Sequence, residues 1–311
     1  MNITEYTIQN TQLAEQSISS LFTRWTTFIE GSTKTVESYT RAVRQFIKYL
    51  QANGITQPTK EDIRAFRDSL SVDHKPTTIQ SYLMALKQFF KWTEEEHIYP
   101  NIARNVKGAK LDTEHKKDYL TTKQVKRLLS GIDRNTLQGK RDFAIVALML
   151  TAGLRTIEVV RANIEDIKTV ADFRALYLQG KGHQERTQYI KLAPEVEDAI
   201  TDYLTARAPQ SATEPLFTST SNRNASGRLT TKSISRLVKE YLVGAGLNSD
   251  RLTAHSLRHT TATLNLLNGG TVEETQQLLR HRNINTTLIY SHALERANNN
   301  SEIRVARAIF K

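Results

Sequence analysis

Seven side chains in the second half of the chain have types and spacing that could do chemistry together: Arg155, Glu158, Lys181, His255, Arg258, His281 and Tyr290. Singly, each has a bland structural explanation. Arg155 and Glu158 are three apart, the spacing of an intrahelical ion pair. Lys181 lies in a Gly-Lys-Gly turn, where a lysine is commonly just solvated. His255 and Arg258 would share a helix face for many reasons. His281 between Arg280 and Arg282 suits a surface, and Tyr290 beside Leu288 and Ile289 suits a core. As a set, two arginines, a lysine, two histidines and a tyrosine have little use except on a phosphate.

The chemistry explains the choice of types. Attack on a phosphodiester places negative charge on the non-bridging oxygens, which two guanidiniums clamp bidentately. A phenol forms a bond to phosphorus that can later be reversed, but with an ordinary pKa of about 10 it needs a base or a positive field. A lysine on a flexible hairpin can return a proton to the departing 5′ oxygen. The protein supplies the cations, so neither a metal nor another cofactor is expected. Lys168 and Lys191 are alternatives to Lys181, and Tyr241 and Tyr189 are alternatives to Tyr290 as nucleophile. A zinc hydrolase is the competing reading, because His255 and His259 have the spacing of a zinc pair. Ser256 stands where that motif needs glutamate, however, and Arg258 between the histidines would repel a cation.

The pattern around these residues predicts the elements that must aim them. Gly153 closes a strongly apolar helix from about Lys140 to Thr151, which leaves Arg155 just beyond its end. His255 and Arg258 open a helix, where the positive end suits an anion. Phe173–Gln179 and Gln188–Leu192 alternate about Gly180-Lys181-Gly182 and predict a hairpin, the one clear β signal. Further helices are expected from about Thr231, Thr253, Val272 and Asn285, with Thr121 or Thr122 capping another and an extended loop over 208–230. In the first third, Val36, Tyr39, Val43, Phe46, Ile47 and Leu50 form one helical stripe. Ile63, Phe66 and Leu70 form a second, Ile79, Tyr82, Leu83, Leu86, Phe89 and Phe90 a third, and Gln12 to Phe28 a weaker fourth. Helical spacing makes these aromatics core rather than platforms for stacked bases. Residues 112–118, Asp-Thr-Glu-His-Lys-Lys-Asp, lack any apolar side chain and read as a linker.

Composition sets the outer bounds. The 311 residues suit about two domains, and 39% hydrophobic with 24% charged residues is enough for packed cores. Forty-three Lys+Arg against 32 Asp+Glu give a net charge of +11, which favours a polyanionic partner. Residues 1–110 hold 14 basic and 11 acidic side chains, whereas 111–311 hold 29 and 21, so most of the excess lies in the second part. There is no cysteine, hence no disulfide, thiolate metal site or cysteine nucleophile. The longest apolar run, Phe143 to Leu150, is far shorter than a membrane span, and the polar N-terminus lacks the features of a signal peptide. A cytoplasmic protein with no membrane partner is expected.

Residues 151–161, 178–192, 253–270 and 278–292 resemble the tyrosine recombinases, also called the phage integrase family. The family's catalytic series is Arg, Glu or Asp, Lys, His-x-x-Arg, His or Trp, and Tyr. Arg155, Glu158, Lys181, His255 with Arg258, His281 and Tyr290 match it in order and interval. The resemblance implies a mainly α fold with a small β-hairpin or sheet. A helical, SAM-like core-binding domain (12–107), a linker (108–118) and a catalytic domain (119–311) with a C-terminal helix from Leu294 to Phe310 would close on DNA as a C-shaped clamp. It implies a site-specific recombinase that cleaves and rejoins DNA through a 3′-phosphotyrosine. Arg155 and Arg258 would then hold the phosphate, His281 donate to it, Lys181 protonate the 5′ oxygen, His255 serve the phenol, and Glu158 orient the site.

The implied partners are double-stranded DNA with inverted half-sites, further copies in a synaptic tetramer, and in some systems an accessory DNA-bending protein. No arm-binding domain is expected, which places the layout nearest Xer-type and transposon or plasmid recombinases. One departure stands out. The family usually has a small residue, often glycine, before the histidine matched by His281; here it is Arg280, which with Arg282 could touch phosphate. Type IB topoisomerases share the residue set and are the alternative activity. A non-enzymatic DNA-binding protein of this fold would be expected to have lost Tyr290 or an arginine.

Overall fold

The computed structural model describes residues 11–109, 118–179, 186–298 and 301–310, with side chains throughout except at 11–19, 223 and 292–298. Lys181 and most of the expected linker therefore lie outside the described residues. The chain forms two compact units, Met1–Glu114 and His115–Lys311.

The first unit contains helices α1 (Thr11–Phe28), α2 (Thr33–Ala52), α3 (Lys60–Leu70) and α4 (Pro76–Glu95). Their starts follow from local chemistry. Ser32 Oγ accepts from the Thr35 amide, Asp62 reaches back to the Thr59 amide at 2.7 Å, and Pro76 occupies the first turn of α4. Gly54, at φ +63°, turns the chain just after α2. The stripes meet in an aromatic core of Trp25, Phe46, Phe66, Phe89, Phe90 and Trp92, with Trp25 edge-on to Phe89 at 5.2 Å. Rings packed in this way are unavailable for stacking on bases.

The second unit begins with α5 (Thr122–Ser130), capped by Thr121, and α6 (Leu137–Ala152). Helix α6 starts about a turn earlier than its apolar run suggests, because Thr136 accepts from the Gly139 amide at 3.0 Å. A short α7 (Thr156–Arg161) leads to a sheet of β1 (Ile167–Val170), β2 (Phe173–Leu178) and β3 (Gln188–Lys191), antiparallel in the order β1-β2-β3. The expected hairpin is β2–β3, with Leu176 opposite Ile190. Strand β1 corrects the two-strand reading. It is four residues long, and its turn to β2 is Ala171-Asp172 with Ala171 at φ +51°, where the usual signal is glycine or asparagine.

Helix α8 (Pro194–Arg207) follows, then irregular chain with a 3₁₀ turn at Asn222–Asn224. The remaining helices are α9 (Thr231–Gly244), α10 (Ala254–Leu267), α11 (Val272–Leu279), α12 (Asn285–Asn298) and α13 (Ser301–Phe310). Of the helix expected from Leu294 to Phe310, Leu294 belongs to α12 and Ser301–Phe310 to α13, and residues 299–300 lie outside the described residues. Helix α6 is buried almost throughout and packs against α8 and α10, which makes it the rigid centre of the unit. Among the described residues, no helix is long and apolar enough to cross a membrane.

Candidate active site

The end of α6 sets the first half of the site. Gly153 takes φ +58°, and a Cβ there would lie 2.5 Å from Leu279 Cδ2. The chain therefore turns in contact with the end of α11. Two residues later Arg155 caps α7, and Glu158 reaches back to it: Oε2 accepts from the Arg155 amide and Oε1 from Nη1, both at 2.8 Å. Glu158 is 1% exposed, whereas the Arg155 side chain is 32% exposed. Burial pushes the Glu158 carboxyl upward, but Arg280 and then Arg155 outweigh it and hold the group below the usual carboxylate range.

Arg258, in the second turn of α10, is buried. Its Nη1 donates to the Gly153 carbonyl and its Nη2 to the Leu279 carbonyl. These carbonyls end α6 and α11, so two negative helix ends stabilise a guanidinium that forms no ion pair within 4.0 Å among the described residues. Burial, with Arg155 and Arg280 nearby, lowers its pKa to about 9, which still leaves it charged at neutral pH.

His281 follows α11 and is half-buried, its Nδ1 2.8 Å from Thr287 Oγ1. Burial, then Arg258, Arg155, Arg280 and His255, lower its pKa to about 4, so the ring is neutral at pH 7. Tyr290, on α12, is 6% exposed. Burial raises its phenol to about 12, and Arg258 pulls in the opposite direction. His255 is exposed at the start of α10 and meets the His259 ring edge-on at 4.6 Å. The His259 ring is in turn 5.2 Å from that of Tyr290. Arg155 and His255 share an open groove of about 970 Å³ with Lys232, Arg236 and Lys239.

Six of the seven candidates thus come together, and Lys181 lies outside the described residues. The alternatives make other contacts, although Tyr189 lines a groove with His281. Lys168 sits over the Tyr177 ring and Lys191 over the Phe173 ring. Tyr241 donates to Asp142 at 3.0 Å, and Tyr189 packs against Tyr177 on the sheet. Among the described residues, no group of three His, Cys, Asp or Glu could hold a metal.

Two features were not legible from the residue pattern. Thr287, fully buried, is the partner of the His281 ring; its place six residues after the histidine was the available signal. Arg280 corrects the idea of a phosphate contact. Its side chain is 5% exposed and turns inward, with Nη2 3.0 Å from Glu158 Oε2 and Nη1 2.7 Å from the Leu278 carbonyl. It also takes φ +56°, because the His281 amide bonds back to Gln276 O and the Arg280 amide to Gln277 O, closing α11 with a left-handed residue. That conformation is the physical reason glycine suits the position.

Both units match known proteins. Residues 118–296 match the phage integrase family, and residues 11–99 match the phage integrase N-terminal SAM-like domain. Tyrosine recombinase XerC of Caldanaerobacter subterraneus subsp. tengcongensis is 37% identical over 196 residues, 63% of this chain and 52% of the relative. Tyrosine recombinase XerD of Staphylococcus epidermidis is 31% identical over 179 residues, 56% of this chain and 58% of the relative, so the chain spans little more than half of either protein. XerC of Chlamydia muridarum is 33% identical over 239 residues, 75% of this chain and 73% of the relative. The XerH recombinase in a post-cleavage complex with a difH substrate shares the fold, with TM-score 0.71 and 20% identity over 84% of this chain and 78% of that one. A lambda integrase tetramer bound to a Holliday junction does so with TM-score 0.67 and 17% identity, over 88% and 76% respectively. With the arginines, histidines and tyrosine of the series assembled at one site, and both units matched, the chain belongs to the phage integrase family, the tyrosine recombinases.

Proposed function

We propose that the protein is a site-specific DNA recombinase that breaks and rejoins strands through Tyr290. The observation that carries this reading is the burial of the phenol beside Arg258, within the same charged cluster as Arg155 and a neutral His281. A phosphodiester entering the cluster is held by Arg155 and Arg258. In the tautomer in which Thr287 donates to Nδ1, the one proton of the neutral His281 ring sits on Nε2 and donates to the same phosphate. Tyr290 Oη attacks phosphorus, the P–O5′ bond breaks, and the DNA 3′ phosphate remains on the phenol. His255 takes the phenolic proton, with the His259 ring packed against both residues. Lys181 returns a proton to the 5′ oxygen. Glu158 orients Arg155 and does not react. Rejoining is the reverse, with the energy of the phosphodiester kept in the phosphotyrosine.

The substrate is double-stranded DNA with inverted half-sites in the cytoplasm. Core binding is assigned to residues 12–107, the linker to 108–118 and catalysis to 119–311. Assembly into a synaptic tetramer is supported by α13, whose Ile303, Val305, Ile309 and Phe310 are all more than half exposed. An accessory DNA-bending protein would shape the synapse.

The test is a duplex nicked just beyond the cleavage point, so that the short 5′ fragment diffuses away and the enzyme stays trapped. The wild type should give a covalent adduct, with or without chelator. Tyr290→Phe should bind DNA and give none. Arg258→Ala should lose about 10²-fold or more in rate, as expected when an oxyanion donor is removed. An adduct on Tyr290→Phe would assign the nucleophile elsewhere.

A further inference from the structure

We propose that Arg280 is a positioning residue for strand cleavage: it is the counterion of Glu158, and so leaves the charge of Arg155 available to the scissile phosphate. The proposal rests on the recombinase reading above. Glu158 is almost fully buried and has two cationic neighbours of opposite exposure, Arg155 at 32% and Arg280 at 5%. Arg280 has no face to spare for DNA. Its Nη2 bonds Glu158 Oε2 at 3.0 Å and reaches the Gly153 carbonyl at 3.5 Å, while Nη1 bonds the carbonyls of Leu278 at 2.7 Å and Ala152 at 3.4 Å. Among the described residues, the anion its guanidinium bonds is Glu158.

The charge balance gives the consequence. Glu158, Arg155 and Arg280 together carry +1, and the exposed member of the three is Arg155. Remove Arg280, and Glu158 has Arg155 as its remaining ion-pair partner. The carboxylate then cancels the cation meant for the phosphate and draws it inward, in a setting where charge is weakly screened. Arg280 also ties the two phosphate-binding arginines together. The Gly153 carbonyl accepts from Arg258 and from Arg280, and Arg280 immediately follows Leu279, whose carbonyl is the other acceptor of Arg258. Its left-handed backbone, φ +56°, disfavours any side chain, so an arginine here is held by its ion pair rather than by local preference.

The experiment measures single-turnover cleavage of the nicked duplex from pH 5.5 to 8.5. Arg280→Met keeps the length and removes the charge. At pH 7.5 it should slow cleavage about tenfold or more, with DNA affinity within about twofold of the wild type. The groups facing Glu158 are Arg155 at its own helix start, Arg280 after α11 and Arg258 from α10. Without Arg280 the Glu158 pKa rises, so acid neutralises the carboxylate and releases Arg155. The rate of the variant relative to wild type should therefore recover as pH falls. Adding Glu158→Gln to Arg280→Met should restore much of the rate at pH 7.5 and flatten the pH dependence, and Arg280→Lys should lie closest to wild type.

A purely structural role predicts a loss equal at every pH and not relieved by Glu158→Gln; that result, or wild-type cleavage by Arg280→Met, overturns the proposal. Should Arg280→Met not fold, Arg280→Gln takes its place, uncharged but still able to donate to Glu158. Failure of the recombinase reading is separate: the wild type itself would then form no adduct.

Discussion

Replacing Gly153 by alanine tests whether the meeting point of α6 and α11 aims Arg258. The added methyl meets two obstacles. At φ +58° an L side chain costs roughly 1–2 kcal/mol. The Cβ would also stand 2.5 Å from Leu279 Cδ2, and relieving such overpacking in a filled core costs about 1–3 kcal/mol. The catalytic unit should lose about 2–5 kcal/mol in all. Gly269 provides the control, since it also has positive φ (+91°) but nothing within 4 Å of its Cβ position, so Gly269→Ala meets only the first obstacle. Urea unfolding followed by circular dichroism should separate the two variants. Both tryptophans, Trp25 and Trp92, lie in the first unit, so their fluorescence is an internal reference that should not move. Cleavage should fall about tenfold or more for Gly153→Ala alone, because the carbonyls of Gly153 and Leu279 are the two that hold Arg258. Equal stability of the two alanine variants, or full cleavage by Gly153→Ala, would refute the reasoning.

Three further outcomes are expected. DNA binding should weaken steeply with salt, log K against log[salt] having a slope on the order of −5 or steeper, since the excess positive charge lies mostly in residues 111–311; a flat titration would show that the basic surface makes no phosphate contacts. Thr287→Val keeps the shape of the side chain but leaves His281 Nδ1 without its hydroxyl, so cleavage should fall about tenfold and return with Thr287→Ser. The catalytic unit should also lose stability as pH falls from about 6.5 towards 4, because the His281 pKa is about 4 when folded, below the ordinary histidine value of 6.5, and the unfolded state binds the proton first. His281→Gln should flatten that part of the profile in thermal melts.

What could be read from the chain was what local chemistry determines. Caps and periodicity located α2, α3 and α4 because Ser32 accepts from the Thr35 amide, Asp62 accepts from the Thr59 amide and Pro76 presets the backbone of its first turn, all within one turn. The candidate series could be picked out as a set because its residue types suit one reaction. Direction was not readable. Nothing in the order Arg280-His281-Arg282 says that the first arginine turns inward to Glu158, since that depends on a left-handed residue ending α11 against α6. Nor did β1 announce itself: a four-residue strand with alanine in its turn lacks both length and the usual turn residue. The role of Thr287 likewise depends on α12 folding back on the His281 loop.

Helix α13 has one more consequence, for how this sequence is free to drift. Not one of its ten residues is buried, and Phe310 is 83% exposed. Most substitutions at Ile303, Val305, Ile309 and Phe310 would therefore change the stability of a lone copy very little. Selection for a well-folded monomer is nearly blind to these four positions, and a polar residue at any of them would improve solubility. If they stay apolar across descendants, the pressure that keeps them so must come from outside the single chain.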